Sequence, residues 1–507
     1  MPTRADNESA VGLGSTKKPS IDKDLKKVER LEEATRTVSR AWAALGLAVL
    51  FLTVAGILAS LQVGAAQGSI IVIAAAVIGG YMALTIGAND VANNVGPAVG
   101  ARALTMLGAL VIAAIFEFAG ALIAGGSVVK TISKGIIDPT LVPSSDVFVW
   151  IMMSALLASA LWVHLATYLG APVSTTHSIV GGVLGAGLAA VGVEAVDWYV
   201  MASIALSWFT SPFIGGLIAA AFLAFIKINL IYQHDKIAAA RRWVPVLVGI
   251  MSAAFGAYLV VKGLKHVWKP DLLAIATIAV LIFALTYLAA RPWVRTQSVG
   301  MENRNQSLRK LFHLPLICSA ALLSFAHGSN DVANAVGPLA AIVSSSTTGE
   351  MSGEVGVPIW VLVIGGFGIS LGLFLFGPRI VRIVGHQITK LNPMRAFCVA
   401  VSAALTVLVA SQLGLPVSTT HIVVGAVFGV GFFREQYTAR SRRRREYIMT
   451  HKRYSKGRAR PLLPDEIRRR KLVRRSHFIG IVAAWVITVP SAAGLSAIIF
   501  FCSNWLR

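Results

Sequence analysis

Apolar residues in this chain run on in long blocks instead of alternating with polar ones. The blocks cover residues 41–61, 69–86, 104–124, 147–169, 199–226, 243–261, 272–290, 314–325, 359–377, 397–412 and 478–501. Most are close to the roughly 20 apolar residues that an α-helix needs to cross the hydrocarbon core of a bilayer. Two further helices are predicted to begin at Ser174 and Ser418, where a proline ends the preceding segment and a run of hydroxyl residues supplies a good N-cap. The pattern predicts an all-α integral membrane protein with about 12 or 13 transmembrane helices.

The blocks repeat. Residues 87–97 read GANDVANNVGP and residues 328–338 read GSNDVANAVGP, identical at nine of eleven positions with an offset of 241. Residues 170–187 read GAPVSTTHSIVGGVLGAG and residues 414–431 read GLPVSTTHIVVGAVFGVG, identical at twelve of eighteen positions with an offset of 244. Two motifs repeated at nearly one offset indicate an internal duplication. Counting spans, the first NDVAN motif is approached from the opposite side of the membrane to the second. The halves are therefore expected to be inverted-topology repeats, with broken or re-entrant half-helices at the centre, as in many secondary transporters. The predicted organisation is an N-terminal tail (1–40), an extra first span with the first repeat (41–226), a linker with two spans (227–312), the second repeat (313–433), a basic loop (434–475) and a last span (476–507).

Composition sharpens this picture. Of 507 residues 56% are hydrophobic and only 14% charged, against about 25% charged in soluble chains. The net charge of +23 would suggest nucleic acid in a soluble protein. Here, however, 39 of the 46 Lys and Arg fall in five segments (1–40, 227–242, 291–310, 379–395, 434–475) that one alternating topology puts on a single side. By the positive-inside rule that side is cytoplasmic, so the charge reads as orientation and the N-terminus is expected inside. A mixed-charge N-terminal segment of about 40 residues does not resemble a cleaved signal peptide. Segment 434–475, with 17 basic residues, reads as a solvated cytoplasmic loop near anionic lipid. Cys318, Cys398 and Cys502 form no spacing motif and read as small hydrophobes.

Asp and Asn at membrane depth are costly and mark function. Asn89, Asp90, Asn93 and Asn94 cluster in the first repeat, and Asn330, Asp331 and Asn334 in the second. Spacings of three and four residues let Asp90, Asn93 and Asn94 share a helix face. A carboxylate with amide carbonyls suits Na⁺, and a lone buried carboxylate suits H⁺. The Gly–Pro pairs that follow (Gly96–Pro97 and Gly337–Pro338) are expected to break the helix. Ser174, Thr175 and Thr176, with Ser418, Thr419 and Thr420, offer hydroxyls and helix N-termini for a tetrahedral oxyanion. Glu117 is a carboxylate inside an apolar span, in FEFAG. His177 and His421 end the two motifs and read as hydrogen-bonded first-turn residues, and His164 reads as a satisfied core residue.

On these motifs the chain resembles the inorganic phosphate transporter family, over roughly residues 70–431 and the last span. The resemblance implies symport of phosphate with Na⁺ or H⁺ and alternating access around a midplane site. It assigns the cation, including Na⁺, to Asp90 and Asp331 with Asn89, Asn93, Asn330 and Asn334 in support. It assigns phosphate to Ser174, Thr175, Thr176, Ser418, Thr419 and Thr420, and matches Glu117 to a glutamate important in the family. Many members carry a glutamate where this chain has Ala400. The expected partners are inorganic phosphate, free or as a metal–phosphate complex, H⁺ or Na⁺, the lipid bilayer and, for assembly, a second copy in a homodimer. Nucleic acid and a cofactor are not expected. The alternative is a permease for sulfate or a related oxyanion on the same architecture. An intramembrane hydrolase built on Ser174, His177 and Asp90 is disfavoured, because there is no nucleophile elbow and the set is duplicated. The chain is therefore not expected to be an enzyme. The expected location is a bacterial cytoplasmic membrane.

Overall fold

The computed structural model describes residues 19–64, 69–263, 270–348, 356–387, 391–444, 446–447 and 475–505. The first 18 residues of the tail and most of the basic loop lie outside the described residues. Two compact units are formed, Met1–Leu50 and Phe51–Arg507. The repeated motifs all fall in the second.

Among the described residues the regular structure is helical, with a single isolated bridge between Ile137 and Val196. The helices are α1 (Pro19–Val63), α2 (Ser69–Gly100), α3 (Met106–Ala124), α4 (Gly126–Lys130), α5 (Ser145–Leu169), α6 (Thr175–Ala190), α7 (Trp198–Ile226) and α8 (Lys236–Gly263). They continue as α9 (Leu272–Gln297), α10 (Asn305–Leu311), α11 (His313–Asp331), α12 (Ala333–Thr348), α13 (Ile359–Gln387), α14 (Pro393–Gln412), α15 (Thr419–Arg440) and α16 (Arg475–Trp505). Ten helices are long and apolar enough to cross a membrane, or up to 11 if α10 and the helix that follows it, bent by 43°, count as one span. The expected count of about 12 or 13 included the helices at Ser174 and Ser418. These are α6 and α15. The first has only 16 residues, short of a crossing, and the second ends in a polar turn. They are the half-helices of the fold.

The duplication is visible in the packing. Helix α2 lies against α13, and its counterpart α11 lies against α3; α6 lies against α16, and α15 against α7. Each repeat thus grips the other through equivalent helices. Backbone approaches are close, as is usual where membrane helices pack on small residues. A Cβ at Gly87 would collide with the carbonyl oxygen of Ile369, and a Cβ at Gly328 with that of Glu117. These two contacts are equivalent under the repeat. They establish that Ile369 stands in one half where Glu117 stands in the other.

The expected helix breaks at the Gly–Pro pairs are not found. Helix α2 runs through Gly96 and Pro97 to Gly100, and α12 contains Pro338. The interruption in the second repeat falls earlier, at Val332 between α11 and α12. Proline removes one backbone donor and crowds the carbonyl four residues before it, which a helix held by its neighbours tolerates. The residues four before Pro97 and Pro338 are Asn93 and Asn334. Their carbonyl oxygens therefore have no helical donor at the usual position, although the helix goes on.

Candidate functional site

The two PVSTTH motifs fold alike because each carries a stop signal and a start signal. Helix α5 ends on Gly170 at φ 72°, and α14 is followed by Gly414 at φ 70°, a left-handed conformation that glycine adopts without a Cβ penalty. Crossed bonds close both ends: Gly170 N–H to Thr167 O (3.1 Å) and Ala171 N–H to Ala166 O (2.9 Å), matched by Gly414 to Ser411 (3.1 Å) and Leu415 to Ala410 (3.0 Å). After Pro172 and Pro416 the next helices begin. Ser174 Oγ accepts from His177 N–H at 3.1 Å, and Ser418 Oγ from His421 N–H at 3.3 Å. This N-capping leaves the Thr175, Thr176, Thr419 and Thr420 N–H groups in the unpaired first turns of α6 and α15.

The two first turns meet. The His177 and His421 rings are edge-to-face at 4.4 Å, and Trp208 of α7 lies 3.8 Å from the His177 ring while donating Nε1–H to Pro416 O at 3.0 Å. Thr176 Oγ1 donates to Val417 O at 3.0 Å, tying one motif to the other. Two positive helix ends therefore converge, and facing them are carboxylates. Thr175 Oγ1 is 3.0 Å from Asp90 Oδ2 and 3.0 Å from Asp331 Oδ2. Its single proton can serve only one of them at a time. Asp90 Oδ1 also accepts from Thr420 Oγ1 (2.9 Å) and Asn93 Nδ2 (3.1 Å). Asn93 Nδ2 is 2.8 Å from Thr420 Oγ1, while Asn334 Nδ2 donates towards Thr175 Oγ1 (3.3 Å) and Thr176 Oγ1 (3.2 Å). All these side chains are buried.

A third group joins them that sequence reading did not single out. His327, fully buried on α11, has Nε2 3.7 Å from Asp90 Oδ2 and 3.5 Å from Asp331 Oδ2, and Nδ1 3.4 Å from Glu117 Oε2. Asn94 Nδ2 donates to Glu117 Oε1 at 2.6 Å. The repeat places Ile86, Ile369 and Ala335 at the positions equivalent to His327, Glu117 and Asn94. The polar triad, built from Asn94 and Glu117 of the first repeat and His327 of the second, therefore has no symmetric copy. Comparing the repeats for identity could not reveal it. The available signal was an ionisable residue inside an apolar block, the same signal that marked Glu117.

The other site residues separate into two groups. Asn89 Nδ2 donates to Thr167 Oγ1 at 2.9 Å and Asn330 Nδ2 to Ser411 Oγ at 2.9 Å, so these amides tie α2 to α5 and α11 to α14 outside the carboxylate cluster. Several buried polar atoms have no hydrogen-bond partner among the described residues: Asp331 Oδ1, Asn334 Oδ1 and Thr419 Oγ1. Buried polar atoms are normally paired, so a concentration of unpaired ones is the chemistry of a ligand site. Asp90, His327 and Asp331 offer three ligand atoms within 4.8 Å of one another. The donor side of the cluster suits a tetrahedral oxyanion, and its carboxylates and carbonyls suit a hard cation.

Comparison with known proteins gives a consistent result. The family model described as "Phosphate transporter family" matches residues 86–496. A Helicobacter pylori protein described as "Putative phosphate permease" is 43% identical over 96% of this chain and 99% of its own length. A Pyrococcus abyssi protein with the same description is 37% identical over 84% of this chain and 96% of its own. A solved structure described as "The sodium-dependent phosphate transporter" is 35% identical, covers 86% of this chain and 100% of that one, and superposes with a TM-score of 0.76.

Proposed function

The chain belongs to the phosphate transporter family, and on that footing we propose that it carries inorganic phosphate across a membrane in symport with a cation. It is a multi-pass membrane protein and not an enzyme. The observation that carries the proposal is the meeting of two capped half-helix N-termini with two buried carboxylates, bridged by the Thr175 hydroxyl.

In this reading phosphate is held by Ser174, Thr175 and Thr176 of one half and Ser418, Thr419 and Thr420 of the other. Free N–H groups and hydroxyls surround the anion, and the two dipoles favour its charge. None of these groups is a fixed cation, so the anion is not trapped in a tight ion pair. Asp90 and Asp331 hold the cation. Asn93 and Asn334 supply oxygens, including the main-chain carbonyls whose usual helical donor is missing at Pro97 and Pro338. Asn89 and Asn330 brace the two motif helices. Glu117 and His327 lie beside the carboxylates and set the local charge.

Two buried carboxylates close together disfavour each other's charged form. A cation between them relieves this, and its positive charge also lowers the cost of the incoming anion. That mutual dependence is coupling, and it is reciprocal for the two ligands. The description of the 35% identical structure favours Na⁺ as that cation. The two repeats, gripping each other through equivalent helices, then rock around this site to give alternating access. The charge distribution favours a cytoplasmic N-terminus, and the bacterial and archaeal relatives favour a cytoplasmic membrane.

Sulfate is the competing anion, since it too is tetrahedral. The carboxylates favour phosphate, because HPO₄²⁻ can donate a hydrogen bond to a carboxylate and sulfate cannot. The test is uptake of radiolabelled phosphate into proteoliposomes with increasing sulfate. Phosphate uptake that survives tenfold excess sulfate supports the reading. Uptake abolished by equimolar sulfate would replace it with an oxyanion permease.

A further inference from the structure

Helices α8 and α9 form a hairpin outside the two repeats, and the transport mechanism uses neither. At the end of this hairpin where α8 begins and α9 finishes, a cleft of about 670 Å³ is lined by Arg241 and Arg242 from α8 and by Tyr287, Arg291, Arg295 and Thr296 from α9. Tyr287, Arg291 and Arg295 recur at intervals of four and share one face of α9. Arg241 is held by Nε donation to the buried Ser298 hydroxyl at 2.7 Å. None of the four arginines pairs with a carboxylate among the described residues. The nearest acidic residues in sequence are otherwise engaged: Asp235 accepts from the Ile237 and Ala238 N–H groups, and Glu302 pairs with Arg304. Four guanidinium groups without a counter-ion, the Tyr287 hydroxyl and a concave surface together make an anion site.

We propose that this cleft binds the phosphodiester headgroup of an anionic phospholipid. What distinguishes a lipid from a free anion is the surface that leads into the cleft. The most apolar window of α9 has none of its residues buried within the protein. Leu281, Leu285 and Leu288 are 56%, 68% and 61% exposed and form a track that ends at the level of Arg291. An acyl chain covers such a track while its headgroup occupies the arginines. Trp243 and Trp293 lie at the same end of the hairpin, where aromatic residues mark the membrane–water boundary. Arg242 lies 5.0 Å over the Trp243 ring, which keeps its charge at that boundary. Arginine also matches a phosphate diester with two parallel donors, which lysine cannot do.

The test uses the full chain purified in detergent and measures retained lipid by native mass spectrometry after exchange into phosphatidylglycerol or phosphatidylcholine. The wild type is expected to retain phosphatidylglycerol selectively. Arg291→Gln with Arg295→Gln is expected to weaken retention roughly thirtyfold, since each basic residue contributes about a fivefold factor at an anionic surface. Arg291→Lys with Arg295→Lys keeps the charge and is expected to recover only part of that loss. Phosphate uptake by both variants in phosphatidylcholine liposomes should equal that of the wild type, which shows that they fold. Equal retention of the two lipids, or unchanged retention by the Gln variant, would overturn the proposal. So would displacement of the lipid by millimolar inorganic phosphate, which would identify a free-anion site. A dimer that dissociates in the Gln variant would identify a second copy of the chain as the occupant, and would also overturn it.

Discussion

Replacing Thr175 with Val tests the seam between the two ligands. The substitution keeps the branched shape and the backbone of the first α6 residue and deletes only the hydroxyl. That hydroxyl lies 3.0 Å from both Asp90 Oδ2 and Asp331 Oδ2. Asp90 would keep Thr420 and Asn93 on its other oxygen. Asp331 Oδ1 has no partner among the described residues, so Asp331 would lose the hydroxyl that serves its carboxylate. A hydrogen bond to a charged group contributes about 1.5–3 kcal/mol, equivalent to a factor of roughly 10 to 150. The hydroxyl also counts among the phosphate donors. Half-saturating cation and half-saturating phosphate in proteoliposome uptake are therefore both expected to rise, each by at least about tenfold. The comparison is Thr419→Val, the equivalent position in the second repeat, whose hydroxyl touches neither carboxylate. It should raise half-saturating phosphate and leave the cation dependence near that of the wild type. If Thr175→Val moved phosphate alone, or if the two variants behaved alike, the bridging role of Thr175 would be refuted.

Asp90→Asn and Asp331→Asn should each reduce uptake to near background at normal membrane expression; unchanged uptake in both would remove the cation assignment. His327→Ile installs the residue found at the equivalent position of the first repeat, and it leaves Glu117 and the two Asp residues without the imidazole between them. An uncompensated buried charge costs about 3–5 kcal/mol, so the variant should lose uptake and unfold at lower temperature in detergent, and wild-type behaviour would show that the triad is dispensable. Gly87→Val and Gly328→Val force a side chain into equivalent backbone contacts. Overpacking costs about 1–3 kcal/mol or more, so both should lower the yield of folded protein to a similar degree, measured by size-exclusion chromatography; a clear difference between them would contradict the symmetry of the packing.

The membrane class, the duplication and the two motif pairs were legible in the sequence because each rests on a run or a repeat, and both survive without tertiary information. The capping roles of Ser174 and Ser418 were legible for the same reason: a cap is a local property of a few residues. The Gly–Pro pairs were misread. The cost of a proline depends on what its helix packs against, and α2 and α12 are held on several sides. What the prolines change is local: the Asn93 and Asn334 carbonyls lose their usual helical donor while the helices go on. His327 was hidden because Ile86 occupies its place in the other repeat, so duplication drew attention away from it. Trp208 offered no local signal at all. Only the fold brings it onto His177 and the second motif. The partners of Asn89 and Asn330 are Thr167 and Ser411, which stand 244 residues apart, as the PVSTTH motifs do. That match could be recognised only once the contacts were known.

The central claim is that phosphate and a cation share one midplane site and move together. The most direct measurement is radiolabelled phosphate uptake into proteoliposomes under an imposed Na⁺ gradient, and separately under an imposed pH gradient. Phosphate concentrated inside above its external level under one of these gradients, and lost when an ionophore collapses it, is the predicted result. Uptake that only equilibrates phosphate under either gradient would contradict symport and leave a passive permease.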